Sequence, residues 1–301
     1  MFPALRLGLA MAMRPLIRSL PVGKRYLFDL LPLDAAALAR LQPRTQVFYD
    51  RSLKAWAYAD FDWAFSRRYY FYGRYPADSL LLLFERWLSP GDVFVDIGAH
   101  WGVYTLAASR AVGVQGSVIA VEPNPASADI VEAQLTINGV RNCRLHRVGL
   151  SSQPAELVLQ MPAGTDHSWC TFRPLEQAGQ GVAVPVHRAD ALLGDLPRDR
   201  NILVKIDTEG YEHQVLRGFG ELANLARIAF VLEVTDEWLR AAGTSAAELF
   251  ADMHRRGFRA YYLKQWRRGF KRGISLLPLS KPADEYQYEV VFAHALPASF
   301  T

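Results

Sequence analysis

The chain has 301 residues, half of them apolar, which is enough to bury a sizeable core and excludes a chain disordered throughout, a collagen-like repeat or a coiled coil. Its two cysteines, Cys143 and Cys170, form neither a disulfide framework nor a paired spacing for structural zinc, and point to a reducing compartment. The net charge of +4 is unevenly spread: residues 1–28 and 253–283 hold fourteen of the thirty-four Lys and Arg and no acid, so the remainder carries −10.

In the first segment Leu5, Leu9, Met13 and Ile17 recur every four residues, with Pro3 and Pro15 expected to interrupt a continuous helix. Arg6, Arg14 and Arg18 break up the apolar run well short of the roughly 18–20 residues that cross a bilayer, so neither a spanning helix nor a cleaved signal is expected. The expected location is cytoplasmic, with the basic segment able to rest on the anionic inner face of a membrane. Aromatics crowd the next stretch, from Trp56 through Phe61, Trp63 and Tyr70 to Tyr75. Residues 1–75 are therefore expected to be a basic segment plus an aromatic-rich extension, either a small hairpin over the main domain or a lid.

From residue 92 the pattern changes. Apolar runs at 93–97, 118–121, 143–148, 202–206 and 228–234 alternate with helical stretches at 103–112, 126–137 and 213–216. Such alternation demands right-handed crossovers and a parallel sheet covered on both faces, a doubly wound α/β domain. Residues 156–160 and 182–187 alternate apolar and polar around a glycine-rich stretch, predicting an inserted flap over about 155–187. A last strand at 286–292 has no crossover helix of its own and is expected to be antiparallel.

The glycine turn VFVDIGAHWGVYTL places Asp96 at the end of the first strand, with Gly98, Ala99, His100 and Gly102 leading into a helix. Glycine lets the backbone approach a ligand closely, and the helix N-terminus offers unpaired amides. A tight turn with no ligand would look the same. The next strand ends in Glu122, twenty residues after Gly102 and followed by Asn124, where a carboxylate can take both hydroxyls of a ribose. The dinucleotide fingerprint G-x-G-x-x-G lacks its middle glycine here, and Asp96 suits an ammonium or sulfonium ligand better than a pyrophosphate. S-adenosylmethionine has both cationic centres.

DIGAHWGVYTL, VEPNP at 121–125, VPVHRADALL at 184–193 and KIDTEGYEHQVLRG at 205–218 resemble the motifs of FkbM-type methyltransferases. The resemblance spans residues 76–293 or so. It implies a Rossmann-like, seven-stranded, mostly parallel sheet with an antiparallel last strand, S-adenosyl-L-methionine as cofactor, and methyl transfer to a hydroxyl oxygen of a saccharide or related metabolite. His100 and Ala189-Asp190 depart from the family's usual residues.

Ligands of such sheets sit beyond the strand C-termini. That makes Asp207 and Glu209 the candidates for binding the acceptor hydroxyl and taking its proton, with Lys205 and His167 as further substrate contacts. Glu209 and Glu212 could equally stabilise the first turn of the following helix, and Lys205 could simply neutralise Asp207. Asp207, Glu233 and Asp236 offer an oxygen-rich set suited to magnesium, but no spacing requires it and a metal-independent enzyme is expected. The arginine–aromatic segment 255–273 suits anionic groups. Nucleic acid is disfavoured, since the N/D-P-P-Y/F tetrapeptide of base-methylating enzymes is missing. Two alternatives remain: a nicotinamide-dependent oxidoreductase, or a non-catalytic glycan-binding or membrane-docking protein on the same fold.

Overall fold

The computed structural model describes residues 3–20, 28–30, 45–61, 63–75, 78–161, 170–175, 179, 181–269 and 271–300. Residues up to Tyr75 gather in one compact unit and those from Asp78 onward in another.

The first unit contains a helix, Pro3–Ser19 (α1), an antiparallel hairpin of Thr45–Asp50 (β1) and Ala55–Asp60 (β2), and a second helix, Ala64–Tyr72 (α2). Pro15 does not interrupt α1 as expected; the helix runs through it. Arg14 and Arg18, on either side of that proline, both reach Tyr70 of α2. One guanidinium lies over its ring at 3.7 Å and the other donates to its carbonyl at 2.8 Å, and these anchors compensate for the missing amide. The aromatics pack edge to face on one another, Phe48 against Tyr69 at 4.9 Å and Phe61 against Tyr70 at 4.9 Å.

The second unit runs Ser79–Trp87 (α3), Val93–Ile97 (β3), Val103–Val112 (α4), Ser117–Val121 (β4), Pro125–Ile137 (α5), Cys143–His146 (β5) and Gly149–Leu150 (β6). Then come Ala155–Leu159 (β7), Val182–His187 (β8), Ala189–Leu192 (α6), Ile202–Ile206 (β9), Glu212–Gly218 (α7) and Ile228–Val234 (β10). Asp236–Ala241 (α8), Ala246–Arg255 (α9), Arg259–Arg268 (β11), Lys271–Leu279 (β12) and Tyr288–Ala293 (β13) complete it.

The main sheet has the order β12-β11-β13-β10-β9-β3-β4-β5. Strands β10, β9, β3, β4 and β5 are parallel, and β13 is antiparallel to both neighbours, so the doubly wound architecture and its antiparallel last strand are present. The sheet counts eight strands rather than seven, because the basic segment turns back on itself as the hairpin β11–β12 and adds an edge strand. Strands β7 and β8 pair antiparallel, with β6 beside β8, in a separate small sheet.

Period-two alternation divides the core. Val93, Val95 and Ile97 of β3 face a layer containing Val215, Leu216, Leu249 and Phe250, whereas Phe94 faces Leu83, Phe84, Ala108 and Val112. Crossovers lead from β3 through β4 to β5 on one side and from β9 to β10 on the other. Order therefore reverses between β3 and β9, the crevice where such sheets bind ligands.

Candidate active site

Three glycine-turn residues hold left-handed backbone: Gly98 at φ 78°, His100 at φ 50° and Gly102 at φ 71°. Gly98 is obligatory on two counts, since any Cβ there would collide with the Asp207 carbonyl oxygen. The amides of Gly98 and Ala99 both donate to Val121 O, at 3.0 and 3.2 Å, which fixes the turn to the tip of β4.

Glu122 follows β4 immediately. One carboxylate oxygen accepts the His100 amide at 2.7 Å and the other the Asn124 amide at 2.8 Å. A carboxylate has about four acceptor positions, so each oxygen keeps one for a hydroxyl, and the residues present fit a nucleoside diol. Burial pushes the Glu122 carboxyl up to about 7, only partly offset by those two amides; two more donors would hold it ionised. Asn124 spends its side-chain oxygen on the N-terminus of α5, accepting from Ala126 at 3.1 Å. The His100 imidazole, pushed down to about 3 by burial and then by Lys205, is neutral at physiological pH.

Asp96, expected to face the ligand, turns inward instead. It is fully buried and accepts from Thr105 Oγ1 at 2.6 Å, with Lys205 Nζ 3.3 Å away. The cause is register: Asp96 and Lys205 are direct partners on β3 and β9, pointing to the same face. Lys205 is only 1 % exposed, so it is no surface contact for substrate. Its ammonium also lies 3.3 Å from Asp207, donates to Gly98 O at 3.1 Å and sits 5.2 Å from the Tyr104 ring centre. Burial pulls its pKa down, but Asp207 and Asp96 outweigh burial and keep it protonated.

Beyond Lys205 the strand tips turn acidic. Carboxylate oxygens of Asp207, Glu209 and Glu233 all lie within 4.8 Å of one another. Asp236, which the sequence grouped with them, is engaged elsewhere: it accepts the Ala246 amide and the Arg240 guanidinium, each at 2.7 Å. Glu209 has left-handed backbone at φ 55°, and its carbonyl is pinned by Thr171 Oγ1 at 2.9 Å and Arg173 Nε at 3.0 Å. Burial first, then Asp207, Glu233 and Glu212, push the Glu209 carboxyl up to about 9. Burial and Asp207 raise Glu233 to about 8.

Glu212 braces the loop, one oxygen accepting from Thr208 N, Thr208 Oγ1 and Gly210 N at 2.9–3.1 Å. Glu289 stands directly across from Glu233 on β13, bonded by the Ser79 hydroxyl and raised to about 7 by burial. Asp78 caps α3 and accepts from Tyr104 OH at 2.6 Å. Neither Glu289 nor Asp78 is conspicuous in the sequence, since the one is a lone acid in a strand and the other precedes a helix. The candidate His167 lies outside the described residues.

Several known proteins resemble this chain. The methyltransferase FkbM domain matches residues 96–260, more than half of the chain. "Methyltransferase 1" of Beauveria bassiana (strain ARSEF 2860) is 29% identical over 152 residues, covering 44% of this chain. The chain spans 60% of that relative's length. Among solved structures, a methyltransferase FkbM from Methylobacillus flagellatus KT superposes with a TM-score of 0.42 and 13% identity, covering 74% of this chain and 52% of that one. A precorrin-6y C5,15-methyltransferase from Geobacter metallireducens GS-15 gives 0.40 and 15%, covering 72% and 87%.

Proposed function

This chain belongs to the methyltransferase FkbM domain family, and we propose that it uses S-adenosylmethionine to methylate a hydroxyl oxygen of a saccharide or a related polyhydroxylated metabolite. The observation that carries this reading is the cluster of Asp207, Glu209 and Glu233 beside the Gly98–Gly102 turn. Several carboxylates converging on one spot match a molecule with several hydroxyl donors. An amine drawn into the same place would be held as ammonium, with no lone pair to attack.

Glu122, with a free acceptor position on each oxygen, would hold the ribose, and the turn from Gly98 to Gly102 would lie along the amino-acid end of the cofactor. When bound, S-adenosylmethionine supplies an electrophilic methyl on its sulfonium. The chain holds the acceptor oxygen close and in line, the source of much of the acceleration in a displacement of this kind. Asp207 takes the hydroxyl proton as the oxygen–carbon bond forms, with the Glu209 carboxyl beside it hydrogen-bonding the acceptor. A positioned base contributes about 10²–10⁴-fold, while the upward shift of Glu209 and Glu233 leaves them protonated near neutral pH and able to donate to the acceptor's oxygens.

The test is an intact-mass screen of glycans and small hydroxylated metabolites for the gain of one methylene, with calorimetry of S-adenosylhomocysteine in parallel. Asp207→Asn should retain cofactor binding and lose most of the mass gain. Full turnover by that variant, or a product methylated on nitrogen or carbon, would overturn the reading.

One observation favours a second reading of the same cluster: its three carboxylate oxygens lie close enough together to share one divalent cation. Metal-independent transfer, the reading preferred here, predicts unchanged turnover after exhaustive chelation. Loss of turnover restored by magnesium would establish the other.

A further inference from the structure

Within the N-terminal unit a cavity of about 650 Å³ opens between the end of α1, the β1–β2 turn and the end of α2. Its walls include Arg18, Arg51 and Arg74, with the rings of Tyr49 and Tyr72, and no acid stands among the described residues that line it. The methyl-transfer reading uses none of these groups.

The cationic wall is built rather than incidental. Arg18 donates to Tyr70 O at 2.8 Å and packs so closely on Gly73 that a Cβ there would meet its Nε at 2.7 Å. Gly73 can accept that approach because it has no side chain and holds φ 64° at the end of α2. Asp50, beside the β1–β2 turn, is fully buried. Its oxygens accept from Ser52 N, Ser52 Oγ, Leu53 N, Tyr69 OH and Tyr75 N at 2.6–3.2 Å, which fixes the turn that presents Arg51. Burial and the neighbouring Arg14 pull Arg18 down to about 10, against the opposing pull of Tyr70 and Asp50, and Arg51 lowers it a little further. A dianion in the cavity would relieve that repulsion.

We propose that this cavity binds the phosphate group of a phosphate-bearing ligand, with Arg18, Arg51 and Arg74 as its anion contacts and the Tyr49 and Tyr72 rings against the body of the molecule. Guanidinium forks match phosphate oxygens bidentately. The volume lies within the range of small-molecule sites, about 300–1,000 Å³, and well above the needs of a bare ion. The phosphate could be that of a soluble ester or of a lipid headgroup. No helix among the described residues is long and apolar enough to cross a membrane, so the lipid source would mean docking at the surface.

The full chain is titrated calorimetrically with inorganic pyrophosphate, then sedimented with phosphatidylcholine vesicles carrying phosphatidic acid. Arg51→Glu should weaken pyrophosphate binding at least about tenfold, and Arg51→Gln by less, with S-adenosylhomocysteine affinity unchanged in both as the check on folding. Arg272→Glu makes the same change of charge on the exposed β11–β12 hairpin and should leave binding intact. Vesicle binding that pyrophosphate displaces identifies the lipid source; pyrophosphate binding without vesicle binding identifies a soluble ester. The proposal fails if pyrophosphate does not bind, if Arg51→Glu is without effect, or if Arg272→Glu weakens binding equally.

Discussion

At the tips of β9 and β10 Asp207, Glu209 and Glu233 crowd together with Glu289 behind them, whereas around the N-terminal cavity Arg18, Arg51 and Arg74 do so. Both arrangements concentrate like charge, but their remedies differ. Carboxylates relieve crowding by keeping protons, as the rise of Glu209 to about 9 and of Glu233 to about 8 shows. Guanidinium groups keep their charge near neutral pH, so an anion rather than a lost proton is what relieves them. An acidic cluster of this kind is suited to proton traffic, and a basic one to holding an anion.

The acidic side also has a cation of its own, and removing it should break the comparison most severely. Lys205→Met would leave Asp96 and Asp207 without their shared ammonium, at a cost of about 3–5 kcal/mol, measurable by denaturant unfolding. Adding Asp96→Asn should recover part of the loss. Next comes Asp207→Asn, which should slow methyl transfer about 10²-fold or more while sparing cofactor affinity; Glu122→Ala should do the reverse, weakening S-adenosylhomocysteine about tenfold by loss of charge-assisted bonds. The opposite pattern in calorimetry and kinetics would mean the two sites are exchanged.

The smallest effect concerns pH. Glu209 and Glu233 have folded-state pKa values above the ordinary carboxylate value, so the native state holds more protons than the unfolded one. Their contribution to stability is fully present below about pH 4.5 and is lost as pH rises through about 8–9. The melting temperature should therefore decline over that interval, and Glu233→Gln should flatten the decline by about 2–4 °C. A variant that melts in parallel with the parent at every pH would show that Glu233 is not shifted upward in the folded protein.

Much of this was readable from residues alone. The parallel strands are short apolar runs bounded by glycine or polar turns, and Val93–Ile97, Ile202–Ile206 and Ile228–Val234 lie where those runs end. The pairing of β7 with β8 follows from their matched alternation. The β11–β12 hairpin was not visible, since only the first part of β11 is buried and the rest carries exposed charge, leaving no hydrophobic period to read. Nor does local spacing report partners across a sheet. Asp96 meets Lys205, and Glu233 meets Glu289, through registers between strands far apart in sequence. The same blindness put Asp236 in place of Glu209: it follows Glu233 closely along the chain, but it opens the next helix.

The ammonium of Lys205 touches the carbonyl of Gly98 on one side and Asp207 on the other. It thus acts as a built-in ruler that sets the gap between the glycine turn and the acidic rim. Changing the acceptor should then be a matter of recutting the rim at Glu209, Glu233 and Glu289 while leaving the calibrated span alone. Lengthening or shortening that span would require rewriting Asp96, Lys205 and Asp207 together.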